Sequence, residues 1–164
     1  MSKLRFSWWA AVALLSLILN GALLYTFLIA GKTEQNAEAA DPRTAIILND
    51  DERALVLTEM RAFLSAVQTM NTALAAGDLA QVEKSALSVG QAAAQTVPPA
   101  LMAKLPMQFK QLGLSTHQGF DQLAMDARDL GDSQHTLQQL GQLMNNCVAC
   151  HATFQLRALP VKTQ

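Results

Sequence analysis

Residues Phe6 to Ala30, FSWWAAVALLSLILNGALLYTFLIA, form an apolar run without a single charged side chain. At about 1.5 Å of rise per residue, a helix of that length covers the roughly 30 Å hydrocarbon core of a bilayer. Lys3 and Arg5 precede the run and Lys32 follows it, while Trp8, Trp9 and Tyr25 lie near its ends, where amphipathic rings favour the membrane interface. The basic residues bias the N-terminus towards the cytoplasm and the rest of the chain away from it. A cleaved secretory signal competes with this reading, because Ala37 to Pro42 (AEAADP) offers small residues of the right type. The run is longer than the about 7–15 residues of a usual signal core, and the small-residue site lies beyond several polar residues, which favours an uncleaved anchor. Either way the downstream domain is exported.

A chain of 164 residues has room for one core and an appendage. A net charge of −1 with 15% charged residues gives no basic surface for nucleic acid or an acidic membrane. Gly31 to Thr44 is polar, lacks hydrophobic periodicity and reads as a flexible tether. The expected division is residues 1–31 as cytoplasmic N-terminus and transmembrane signal anchor, 32–48 as periplasmic tether, and 49–164 as a four-helix domain.

That domain carries hardly any strand signal, since Ala, Leu, Gln and Met dominate it. Asn49 and Asp50 are cap candidates for a first helix with apolar residues at Leu57, Met60, Leu64, Val67 and Leu74, closed by Gly77. Asp78 and Gln81 have capping-box spacing and open a second, which runs to Pro98-Pro99. A third is best defined from Thr116 to Leu130, and a fourth runs from near Asp132-Ser133 to Arg157. The expected fold class is all-α: an antiparallel up-down four-helix bundle preceded by one N-terminal transmembrane helix.

Both cysteines fall in the fourth helix, in NNCVACHATF (Asn145 to Phe154). Cys147, Cys150 and His151 read C-x-x-C-H, the attachment sequence for c-type haem. At positions i, i+3 and i+4 they share one helix face, so two thiols and an imidazole can approach one planar ligand. A thioredoxin-like pair would want its C-x-x-C near a helix start in a βαβ setting. A structural zinc site needs four ligands, and His117 and His135 have no paired spacing. A disulfide at i, i+3 within a helix is geometrically awkward. The expected cofactor is one covalently bound haem c.

A four-helix domain with C-x-x-C-H near the end of its last helix resembles the class II cytochromes c, the group of cytochrome c′ and its low-spin relatives. From Asp50 to Arg157 the chain also resembles the periplasmic four-helix b-type cytochrome. The stretches that carry this are MRAFLSAVQTMNTALAAGDLAQVEKSAL, VPPALMAKLP, HQGFDQL and CHATFQLR, in that order. The interval from Met60 to Pro98-Pro99 matches that between the ligand methionine and a Pro-Pro pair there.

The resemblance implies His151 and Met60 as the two axial iron ligands, and Phe120 as a haem-packing ring. In the high-spin branch the iron stays five-coordinate, and Leu57 or Leu64 would be the distal residue. Met144 reads as a packing residue and Met70 as a core residue that is a weaker alternative ligand, Arg53, Arg61 and Arg157 as candidate partners for haem propionates, and His117 and His135 as facing water.

The implied function is single-electron transfer by a membrane-tethered cytochrome in the bacterial inner membrane, with its haem domain in the periplasm and redox partner proteins in or near the membrane. It is not an enzyme and binds no nucleic acid; its oligomeric state stays open, a dimer included. The alternative is a five-coordinate haem protein that binds nitric oxide or carbon monoxide.

Overall fold

The computed structural model describes residues 8–28, 33–34 and 41–158. Lys3, Arg5, Lys32, Pro160 and most of the small-residue stretch after Ala37 lie outside them. Helix α1 (Trp8–Leu28) is long and apolar enough to cross a membrane by length and composition, a test that a signal sequence also passes. From Trp8 to Thr26 none of its side chains is buried.

The remainder is mostly helical. Helix α2 (Asp50–Ala76) starts at a complete capping box: the Asn49 side chain accepts from Glu52 N–H at 2.8 Å, and the Glu52 carboxylate accepts from Asn49 N–H at 3.0 Å. Gly77 ends it in the left-handed conformation, φ 70°, which a residue without Cβ adopts at little cost. Asp78 then caps α3 (Leu79–Leu87) by accepting from Gln81 N–H.

The second expected helix is interrupted. After α3 the chain bends through Ser88–Gly90, forms the short α4 (Gln91–Ala94) and, after Pro98, the short α5 (Pro99–Met102). At the break the Asp121 carboxylate accepts from Gln91 N–H at 3.0 Å and occupies the space a Cβ on Gly90 would need. Helix α6 (Met107–Leu130) follows, ending at left-handed Gly131, and Asp132 caps α7 (Ser133–Thr153) through the amides of Gln134 and His135.

Three strands correct the all-helical expectation. β1 (Thr33–Glu34) pairs antiparallel with β2 (Thr44–Leu48), and β2 pairs parallel with β3 (Phe154–Ala158), in register Thr44↔Phe154 to Leu48↔Ala158. The fourth long helix therefore stops at Thr153, and the residues up to Arg157 are strand. Residues 44–48, expected to close the tether, belong to the folded domain: Ala45, Ile46 and Leu48 are buried.

Two apolar clusters form the interior. Phe63, Met70, Val82, Ala86, Phe120, Leu123 and Leu140 join α2, α3, α6 and α7. Ile46, Leu48, Val56, Leu101, Leu105 and Phe154 join the sheet to the first turns of α2 and to the segment around α5. Each fully buried aliphatic side chain contributes on the order of 1.5–3 kcal/mol relative to exposure. α2 packs on α3, α3 on α6 and α6 on α7, whereas α2 and α7 touch only sparsely.

Candidate functional site

The sparse contact between α2 and α7 leaves a cleft of about 380 Å³, within the size range of small-molecule and cofactor sites. Helix α2 supplies Leu57, Met60, Phe63, Leu64 and Val67; α6 supplies Phe109, Leu112, Thr116 and His117; α7 supplies Met144, Cys147, Cys150 and His151. A second cavity of about 270 Å³ shares Leu57, Met60, Phe109, Cys150 and His151, and adds Arg43, Arg53 and Phe154. The two adjoin along the line from Met60 to His151.

Local sequence explains this placement. Met60, Phe63, Leu64 and Val67 recur at helical spacing on α2, so one face meets the cleft. Cys147, Cys150 and His151 recur likewise on α7. Met60 packs against the helical cluster and Cys150 against the sheet cluster, so the cleft lies at the junction of the two.

Both cysteines are free and half-buried, while His151 is exposed. Burial pushes both thiols up, and the neighbouring Cys147 raises Cys150 further. Their position near the carboxyl end of α7, the negative end of the helix dipole, agrees with neutral thiols. Protonated thiols of this kind lack the lowered pKa of a redox-active C-x-x-C pair. Among the described residues no group of three His, Cys, Asp or Glu side chains forms a metal cage. Two thiols, an imidazole and a thioether do line one largely apolar cleft, a donor set whose chemistry fits a ligand fixed through sulfur and bound through nitrogen and sulfur.

Met60, Cys147, Cys150 and His151 are thus brought together, with Leu57 and Leu64 beside them. Phe120 is not: it is 1% exposed in the core, stacked on Phe63 with ring centroids 5.5 Å apart. It lies one turn beyond Thr116 and His117 on the same face of α6 and does not line the cavity, whereas Phe63, stacked on it, and Phe109 do. Phe63, Phe109, Leu112 and Arg43 escaped the sequence reading. Phe63 follows Met60 by three residues, and that spacing was the available signal.

His117 corrects a further expectation. It is buried, its Nδ1 lies 2.8 Å from the Val89 carbonyl and its Nε2 lies 3.1 Å from Glu59 Oε1. Burial alone would lower its pKa, but the Glu59 carboxylate together with the carbonyls of Val89 and Gly90 outweighs it and raises the value. Nδ1 donates to the carbonyl, and in the protonated ring Nε2 donates to Glu59. His135 is exposed, Met70 is fully buried, and Met144 lines the cleft while 41% exposed. Arg61 lines the first cavity and Arg53 the second; Arg157 lines neither and donates from Nε to Gln155 Oε1.

No protein-family model, curated protein or solved structure matches this chain.

Proposed function

We propose that the chain is a membrane-tethered periplasmic cytochrome of the class II c type, which passes single electrons between partner proteins in or near the inner membrane. The observation that carries this reading is the convergence of Cys147, Cys150, His151 and Met60 on one cleft. In this reading α2, α3, α6 and α7 are the four helices of an up-down bundle, opened between α2 and α7 to take a flat cofactor.

Cys147 and Cys150 would hold a haem through thioethers, each formed as its S–H adds across a vinyl group of the cofactor. His151 offers a ring nitrogen to one side of the cleft and Met60 a thioether sulfur to the other. When bound, haem supplies a one-electron Fe(III)/Fe(II) couple, and a methionine–histidine ligand set raises its potential. Leu57, Phe63, Phe109 and Leu112 give the cavity apolar walls, and Leu64 lies at its solvent-exposed rim. Arg53, at the second cavity, offers a cation to an acidic substituent.

Attachment is tested on the full chain, expressed in a bacterium competent for c-type maturation. Mass spectrometry is expected to find one added haem, absent from the Cys147→Ser, Cys150→Ser double variant. Apoprotein alone from the wild type would sink the reading.

A second reading has its own observation: Leu57 and Leu64 line the same cleft as Met60. Were one of them the distal neighbour, the site would bind nitric oxide or carbon monoxide at a five-coordinate iron.

A further inference from the structure

The last turn of α7 is tied down from the other end of the folded domain. A helix ends with carbonyl groups that have no intrahelical partner, and its last turn frays unless they find one. At the end of α7 the Cys150 carbonyl accepts from Phe154 N–H. The next free carbonyl is that of His151, and Arg43 Nη1 donates to it at 3.1 Å and to the Phe154 carbonyl at 3.5 Å.

Arg43 is itself held. Its Nε donates to Asp41 Oδ1 at 2.9 Å and to Oδ2 at 3.1 Å, its Nη2 also donates to Oδ2, and its backbone N–H reaches Oδ1 at 3.1 Å. Its own carbonyl accepts from Gln155 Nε2 at 2.9 Å. The planar guanidinium thus meets a carboxylate with one set of donors and the helix terminus with another, which the single ammonium of lysine cannot reproduce in full. A cation there also complements the negative end of the helix dipole. The Asp41 carboxyl, lowered to about 2 by hydrogen bonds from Arg43, stays ionised at neutral pH. From Thr44, the residue after Arg43, β2 runs in register with β3, so the clamp is continuous with the sheet.

We infer that Arg43, braced by Asp41, is a positioning residue for His151: it fixes the carbonyl end of the turn that carries the axial imidazole. The inference rests on the haem reading of the cleft. Hydrogen-bond partners of a metal-bound histidine ring change its hold on the metal about 10–100-fold when removed, and Arg43, which acts on the backbone of that residue, belongs at the low end of that range.

The test uses the full, haem-loaded chain in detergent, reduced and exposed to nitric oxide. Nitric oxide would take the place of the Met60 thioether on the iron and weaken the bond to His151, so the ratio of six- to five-coordinate nitrosyl haem, read by EPR, would measure how firmly His151 is held. Arg43→Ala and Asp41→Asn are expected to lower that ratio about ten-fold, and Arg43→Lys to restore part of it. Covalent haem content, fixed by Cys147 and Cys150, stays at one per chain. Lys104→Ala removes an ion pair to Glu52 away from the cleft and is expected to leave the ratio unchanged. A ratio unaffected in Arg43→Ala, or lowered as much by Lys104→Ala, overturns the inference alone. A wild-type chain without haem overturns the functional reading and this inference with it.

Discussion

Met60 on α2 and His151 in the last turn of α7 line the same two adjoining cavities. Their meeting follows from the strands as well as from helix packing. β2 runs directly into the cap of α2, and β3 leaves directly from α7. Their parallel register, Thr44↔Phe154 through Leu48↔Ala158, fixes the beginning of one helix against the end of the other. The sparse direct contact between α2 and α7 then leaves the interval between them open.

Met60→Ala is expected to convert a low-spin ferric optical and EPR spectrum to high spin, because it removes the only thioether among the described residues that lines both cavities. Leu57→Ala and Leu64→Ala are expected to leave the spin state unchanged. A wild type already in the high-spin state, indifferent to the methionine, would favour the gas-binding reading.

Gly90 and Asp121 are expected to behave as one unit. A Cβ at position 90 meets the Asp121 carboxylate, which accepts from Gln91 N–H and stands in for a side-chain cap on α4. Gly90→Ala must displace that carboxylate, and Asp121→Ala deletes it. Loss of a cap costs about 1 kcal/mol, so each variant is expected to lower urea stability by about that much. The double variant should lose less than the sum, since the same hydrogen bond cannot be lost twice. Full additivity would show the two sites to be independent.

Much of the cleft could be read from sequence because its signals are local. C-x-x-C-H fixes three side chains on one helix face, and the caps at Asn49, Asp78 and Asp132, with Gly77 and Gly131, mark helix ends by chemistry within a few residues. The sheet was not legible in the same way. TAIIL does contain β-branched Thr44, Ile46 and Ile47, but its partner is FQLRA at the opposite end of the domain, and a parallel pair has no hairpin turn to announce it. His117 misled because its neighbours in sequence are polar; its burial depends on Val89 and Glu59, which arrive from other segments. Phe120 and Phe63 stack on each other, and only their packing decides which one reaches the cavity.

The raised pKa of His117 predicts a pH-dependent stability of definite sign. The folded protein holds the proton more tightly than the unfolded chain, whose histidine titrates near about 6.5. The stabilisation is therefore fully present below that value and is lost as pH rises through the higher folded pKa. Denaturant titrations from pH 5.5 to 8.5, values about one to two units either side of the unfolded pKa, are expected to show stability falling across the upper part of the range. Glu59→Gln should flatten that fall and bring the His117 NMR titration down. A wild type whose stability rises over this interval would contradict the assigned pair.

Ile46 decides where the folded domain begins. Its side chain is fully buried between the sheet and the segment around α5, in contrast to what a residue of a flexible tether would experience. Truncating a buried aliphatic side chain to alanine costs about 2–5 kcal/mol through lost transfer energy and the cavity left behind. Ile46→Ala is expected to lower the stability of the full chain by an amount in that range, measured by guanidinium unfolding followed by far-ultraviolet circular dichroism. Ile47, on the opposite face of the same strand and only partly buried, should cost less when shortened to alanine. Equal and small losses at both positions would return residues 44–48 to the tether, whereas a large loss confined to Ile46 would confirm that the strand is structural.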